Sequence, residues 1–200
     1  MILLRRHRAA SGLRAGPWVL GLLLLGLASL PQRAGAQPSL VVLVRHGEKQ
    51  PTPADDPSLS EAGVRRAAAL DSALRDLVPS TILVSTRKRT VETAAVVARR
   101  TGVTPTVITL DGGGASHVRA VAEAVQRARG VVLVVGHSNT VPAIVTALGG
   151  PKLPDLCDAS YATLFLLTPA REGLPAQLVR AHYGLPDAVG ADQCPGMVPR

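Results

Sequence analysis

The stretch Ser39-Leu40-Val41-Val42-Leu43-Val44-Arg45 carries five consecutive aliphatic residues with no polar alternation. A strand with one wet face alternates; one without alternation is buried on both faces, as in a parallel sheet. Val131–Val135, VVLVV, is a second such run and the most apolar of all. Between and around them the pattern changes to helical. Ser60 is an N-cap for a helix in which Val64, Ala67, Ala68, Leu70, Leu74 and Leu77 recur until Pro79. Thr81–Ser85 reads as a strand, Thr90–Arg100 as a helix stopped near Gly102, and Thr106–Leu110 as a third strand. Gly112-Gly113-Gly114 reads as a loop, Ser116–Arg129 and Val141–Leu148 as helices, and Ala162–Thr168 and Ala176–His182 as paired edge strands. Strands alternating with helices of this length predict an α/β three-layer sandwich, a mostly parallel central sheet with helices on both faces.

Upstream of the first strand the sequence has the layout of an export leader. Arg5, Arg6, Arg8 and Arg14 precede an apolar run from Trp18 to Leu30, and Ala34-Gly35-Ala36 offers small residues for cleavage before Gln37. The run is short for a membrane span, and Pro31 with the Ala-x-Ala pattern argues against an uncleaved anchor. Residues 1–36 are therefore expected to be a signal peptide that is removed, by the general or a twin-arginine route, leaving residues 37–200 as one periplasmic or secreted domain with no membrane span. Five of the arginines and no acid lie in that leader, so the net charge of +8 falls to +3 for the remaining 164 residues. Such a mild excess, without interleaved aromatics, excludes nucleic acid as the expected partner. Cys157 and Cys194 are the only cysteines. In an oxidising compartment they are expected to pair and tie down the C-terminal tail.

Ligands of open α/β sheets sit beyond the carboxyl ends of the strands, and three clusters fall there. Arg45-His46-Gly47-Glu48 leaves the first strand. A guanidinium beside an imidazole, with a glycine allowing close backbone approach, can hold a phosphate dianion against a nitrogen nucleophile. The same residues could merely cap the sheet. Ser85-Thr86-Arg87-Lys88-Arg89-Thr90-Val91-Glu92-Thr93-Ala94 leaves the second strand with three basic residues at a helix start, where the macrodipole favours acids. A bound anion resolves that conflict; a solvated basic patch is the plainer reading. Val135-Gly136-His137-Ser138-Asn139-Thr140 leaves the most buried strand as a polar, anion-friendly turn. Each is weak alone, and their convergence on equivalent strand ends is what carries weight.

In this order and spacing, and with Leu59-Ser60-Glu61-Ala62-Gly63 after the first cluster, the sequence resembles the histidine phosphatase superfamily, the phosphoglycerate-mutase-like branch, from about Leu40 to about Leu148. The resemblance implies a phosphatase in which His46 attacks phosphorus and becomes phosphorylated. Arg45, Arg89 and His137 would hold the phosphoryl oxygens, joined by Ser138 and Asn139. That assignment agrees with the needs of phosphoryl transfer, which are positioning and positive charge, and no HExxH, CxxC or acidic cluster calls for a metal. No cofactor is expected. A backbone carbonyl, that of Gly47, is the expected orienter of the His46 ring.

The family pattern breaks at the general acid: Ser138 follows His137 where an Asp often stands, and the loop after the third strand has no Glu. Asp111 in that loop is the candidate, with a plain turn role before the glycines as the alternative; Asp55 and Asp56 are further candidates. Without an acid, substrates with good leaving groups such as phosphohistidine or acyl phosphates would be favoured. The expected partner is a phosphorylated small molecule, envelope sugar or protein. The alternative is an envelope protein that binds phosphate with little or no turnover. A dinucleotide-binding sheet lacks its GxGxxG.

Overall fold

The computed structural model describes residues 37–171 and 173–188. Along them run β1 (Pro38–Arg45), α1 (Glu61–Ala73), β2 (Thr81–Ser85), α2 (Lys88–Thr101), β3 (Thr106–Ile108), α3 (Gly113–Arg127), β4 (Gly130–Gly136), α4 (Thr140–Ala147), β5 (Thr163–Thr168) and β6 (Gln177–His182). The apolar runs behave as their lack of alternation requires. In β1, Val41 and Leu43 face one core while Val42 and Val44 face another, and all four are fully buried. In β4, Val132 and Val134 join the first core, Leu133 and Val135 the second. The first core is closed by Val121 and Val125 of α3 and Val141, Ile144 and Val145 of α4. The second is closed by Leu70 of α1, Leu74 beyond it, and Ala94 and Val97 of α2.

The six strands form one sheet in the order β3-β2-β4-β1-β5-β6. The first four are mutually parallel; β5 lies antiparallel to β1, and β6 antiparallel to β5. This is the expected three-layer α/β sandwich, with the two closing segments pairing as an edge hairpin. Among the described residues no helix is long and apolar enough to cross a membrane. The expected leader, residues 1–36, lies outside the described residues. Cys157 is buried and disulfide-bonded; Cys194, its expected partner, also lies outside them.

Three local expectations shift. The buried stripe of α1 is Gly63, Arg66, Ala67 and Leu70, while Val64 is 57% exposed. The helix is rolled by the need to bring Gly63 against the loop after β1, and that roll buries an arginine. The glycine run is only partly loop: Gly112 is the cap, and α3 begins at Gly113. A first turn lacks intrahelical partners for its N–H groups in any case, so glycine costs less there than in a helix interior. Finally, β3 stops at Ile108 because it is an edge strand with one partner, pairing only Thr106, Val107 and Ile108 against Leu83, Val84 and Ser85.

Candidate active site

Parallel register brings the three clusters to one place. Arg45 stands opposite Gly136 in the β1–β4 pair, and β2 flanks β4 on its other side, so the chain leaves three adjacent strands in the same direction at His46, Thr86 and His137. The loop after β1 is anchored by its backbone. The His46 N–H donates to the Gly136 carbonyl at 3.0 Å, and the Gly47 N–H to Thr93 Oγ1 of α2 at 2.9 Å. Gly47 is required there for packing: a Cβ would sit 3.0 Å from the Gly63 carbonyl oxygen, and a Cβ on Gly63 would overlap the Glu48 carbonyl oxygen. The two glycines let the start of α1 lie directly on the loop that carries His46.

The His46 ring is buried, and its Nδ1 lies 2.8 Å from the Gly47 carbonyl. A carbonyl only accepts, so Nδ1 carries the proton and the lone pair is left on Nε2. Burial, against the opposing Gly47 hydrogen bond and with the help of the Arg45, His137 and Arg89 charges, pushes the His46 pKa down to about 3. The ring is thus a neutral nitrogen base across physiological pH.

His137 stands with its ring centroid 5.4 Å from that of His46. Its Nε2 is 2.9 Å from Ser85 Oγ, which in turn lies 3.0 Å from Thr90 Oγ1, and its backbone N–H donates to Thr140 Oγ1. Burial first, then the Arg89 charge, lowers its pKa to about 4. Among the described residues no hydrogen bond engages Nδ1, which leaves that nitrogen for an incoming oxygen.

Arg45 is buried with Nη1 within reach of the carbonyls of Cys157 (2.6 Å), Asp158 (3.0 Å) and Ser160 (3.3 Å), and its Cζ lies 4.3 Å from the centre of the Tyr161 ring. Arg89, in the first turn of α2, reaches Asp56 Oδ1 at 3.8 Å. The same Asp56 oxygen accepts the Lys88 N–H at 3.1 Å, so a carboxylate from the loop after β1 occupies the helix start and eases the dipole conflict posed by three cations. In both arginines Nε is buried and without a hydrogen-bond partner among the described residues. Burial lowers both guanidinium pKa values. A buried N–H donor without a partner is costly, and an anion beside His46 would satisfy both.

Residues 41–111 match the family model of the histidine phosphatase superfamily, branch 1. Among solved structures, the chain is similar to a mycobacterial glucosyl-3-phosphoglycerate phosphatase, at 22% identity and a TM-score of 0.55, over 70% of this chain and 97% of that one. The protein histidine phosphatase SixA complexed with tungstate matches at 17% identity and a TM-score of 0.56, over 72% and 96% of the two chains. A protein assigned as the phosphohistidine phosphatase SixA of Agrobacterium tumefaciens matches at 23% and 0.56, over 76% and 100%. At such identities the likeness is one of fold. No curated protein matches the chain.

The structure thus brings together Arg45, His46, Arg89 and His137, and treats the other expected site residues unevenly. Ser138 and the exposed Asn139 lie at the start of α4, where neither side chain caps the helix; the hydroxyl engaged there is that of Thr140. Asp111 is exposed in the turn before α3, its N–H on Thr109 Oγ1, and among the described residues no hydrogen bond or ion pair joins its carboxylate to the site. Asp56, a secondary candidate, is the carboxylate that meets Arg89. Sequence reasoning missed Ser85, Thr90, Thr93 and Tyr161. The hydroxyls carried a signal: Thr90 and Thr93 are one helical turn apart behind a strand end, on the face where an amphipathic helix buries its residues. Tyr161 carried none, since it arrives from a distant loop.

Proposed function

We propose that this protein is an exported phosphohydrolase working through a phosphohistidine on His46, with Arg45, Arg89 and His137 holding the phosphoryl group. The observation that carries the reading is the pair of buried arginine Nε–H groups, without a hydrogen-bond partner among the described residues, together with a neutral imidazole whose free nitrogen is Nε2. The lone pair on Nε2 attacks phosphorus in line, the P–N bond to His46 forms and the bond from phosphorus to the leaving group breaks, P–O in a phosphomonoester and P–N in phosphohistidine. Arg45 and Arg89 offset the charge on the equatorial oxygens. A phosphoryl oxygen at Nδ1 of His137 would select the tautomer with its proton there, so that Nδ1–H donates to that oxygen while Nε2 accepts from the Ser85 hydroxyl. Water then attacks phosphorus, the P–N bond breaks, and inorganic phosphate leaves with His46 neutral again.

The leaving oxygen needs a proton, and Asp56 is better placed than Asp111 to supply it. It faces Arg89, whereas among the described residues no hydrogen bond or ion pair links the Asp111 carboxylate to the site. Its carboxylate is committed to Lys88 N–H and Arg89, so we assign it a modest role and favour substrates whose leaving group needs little protonation, such as phosphohistidine. The phosphohistidine phosphatase named among the structural neighbours agrees with that choice. The leader at residues 1–36 supports action in the periplasm or outside the cell.

The test is hydrolysis of p-nitrophenyl phosphate and of phosphohistidine by the purified chain, beside His46→Ala. Activity that survives this substitution would sink the reading. Wild-type protein that binds orthovanadate yet forms no acid-labile phosphate on His46 would favour instead a phosphate-binding protein of the same fold. Cell fractionation with N-terminal sequencing tests export, the expected first residue being Gln37.

A further inference from the structure

The side chain that most tightly joins separate parts of this site is not in it. Arg66 lies on α1 with its side chain 6% exposed, and a buried arginine is tolerated only when its donors are used. Its donors are spent on two chain segments, the loop after β1 and the stretch after β6. Nε and Nη2 hold the Glu48 carboxylate, with Nε–Oε1 2.9 Å, Nε–Oε2 3.0 Å and Nη2–Oε1 2.7 Å. Nη1 reaches the carbonyls of Tyr183 at 3.3 Å and Leu185 at 3.1 Å. Nη2 also lies 3.5 Å from Asp187 Oδ1.

Each carboxylate leads to a different half of the phosphate site. Glu48 follows Gly47, so the Gly47 carbonyl that sets the proton on His46 Nδ1 belongs to the same rigid peptide plane as the Glu48 nitrogen. Holding the Glu48 side chain holds that plane, and with it the direction of His46 Nε2. Asp187 accepts the N–H groups of Tyr161 at 2.8 Å and Ala162 at 2.9 Å. That backbone places the Tyr161 ring under Arg45, and the neighbouring Ser160 carbonyl receives Arg45 Nη1. We infer that Arg66 is a positioning residue that sets the nucleophile and Arg45 in register with each other, one arm through Glu48 to the His46 ring and the other through Asp187 to the Arg45 cradle. A lysine cannot replace it, because only the planar fork reaches several acceptors at fixed angles.

This inference rests on the proposed phosphotransfer to His46, and its test separates the two. The full chain and four variants are compared for the rate of His46 phosphorylation, affinity for orthovanadate, and the ¹⁵N signal of His46 Nδ1–H. Glu48→Gln is expected to slow phosphorylation on the order of 10-fold, below the 10²-fold that a 1 Å misplacement costs, and to broaden the Nδ1–H signal while vanadate affinity holds within about threefold. Asp187→Asn is expected to do the converse, weakening vanadate binding on the order of 10-fold with the Nδ1–H signal kept. Arg66→Met is expected to show both losses, and Arg66→Lys to restore neither. A merely structural role would lower the melting temperature in all four without this split, and that outcome, or wild-type constants in Arg66→Met, overturns the inference. Should Arg66→Met fail to fold, the opposed behaviour of Glu48→Gln and Asp187→Asn decides alone. Should the wild type neither phosphorylate nor bind vanadate, the proposed function fails, and the inference is then judged on the Nδ1–H signal alone: unchanged in Glu48→Gln, it falls too.

Discussion

The two sides of the pocket are built differently. On the phosphate side, Arg45, His46 and His137 are buried at the ends of adjacent parallel strands, and each is held by several named bonds to backbone or hydroxyl groups. On the proposed leaving-group side stand Asp55 and Asp56 on a largely exposed loop, while Asp111, the other candidate, lies in an exposed turn. Groups that must stabilise the same charge in every turnover are fixed before substrate arrives. Groups that meet a variable leaving group sit on loops, where change costs the fold little. On the proposed reading, phosphoryl capture follows from the scaffold, and leaving-group preference from the loops.

The sharpest way to break this contrast is His46→Ala, expected to cost on the order of 10⁴-fold in kcat or more and to abolish acid-labile labelling by phosphorylated substrate. Arg89→Ala is next, with an expected loss on the order of 10²–10³-fold in kcat. Arg87→Ala, which loses only a bond to the Asp55 carbonyl, should stay within about threefold of wild type; steady-state kinetics that reverse that order would place the wrong arginine in the site. On the leaving-group side, Asp56→Asn should cost about 10-fold on an alkyl phosphate, at or below the low end of general-acid effects, and less on p-nitrophenyl phosphate. Asp111→Asn should leave both rates alone; a large loss there would return the acid role to Asp111.

Stability sharpens the same contrast from the scaffold. Gly63→Ala drives a methyl group into the Glu48 carbonyl and should cost about 1–3 kcal/mol, read as a lower urea midpoint, with phosphorylation of His46 slowed as well. The smallest expected effect is on pH dependence. With pKa values lowered to about 3 and about 4, the His46 and His137 rings should show no titration by NMR between pH 5 and 8. The sign for stability follows. An unfolded histidine takes up a proton below about pH 6.5, whereas these two do not until near pH 4 and 3, so their contribution is full above pH 6.5 and declines as the pH falls towards those values. A ring titrating near 6.5 would show that one of the two is solvated.

Much of the phosphate side was legible because it lies next to strands whose composition admits one reading. Val41 to Val44 and Val131 to Val135 suit strands buried on both faces, and their ends pointed to the clusters that hold Arg45, His46 and His137. The run Arg87-Lys88-Arg89 was legible as misplaced on the helix dipole, and the family resemblance singled out Arg89 within it, whereas the Asp56 carboxylate that helps offset it was not legible. The roll of α1, which exposes Val64 and buries Arg66, was hidden because periodicity marks an apolar stripe without saying which neighbour will claim it. Glycine contacts such as Gly47 against Gly63 depend on two segments meeting, and neither segment records the other.

The sequence by itself determined what is local or periodic: the double-faced strands, the alternation with helices, the polar turns after β1, β2 and β4, and the charge to be expected there. Tertiary structure alone decided what depends on residues far apart in the chain. It set Tyr161 beneath Arg45, aimed Asp56 rather than Asp111 at Arg89, and made Arg66 the junction of Glu48 and Asp187. Backbone propensity and burial are written residue by residue, whereas the partners of a side chain's donors are chosen only when packing has brought distant segments within hydrogen-bond reach.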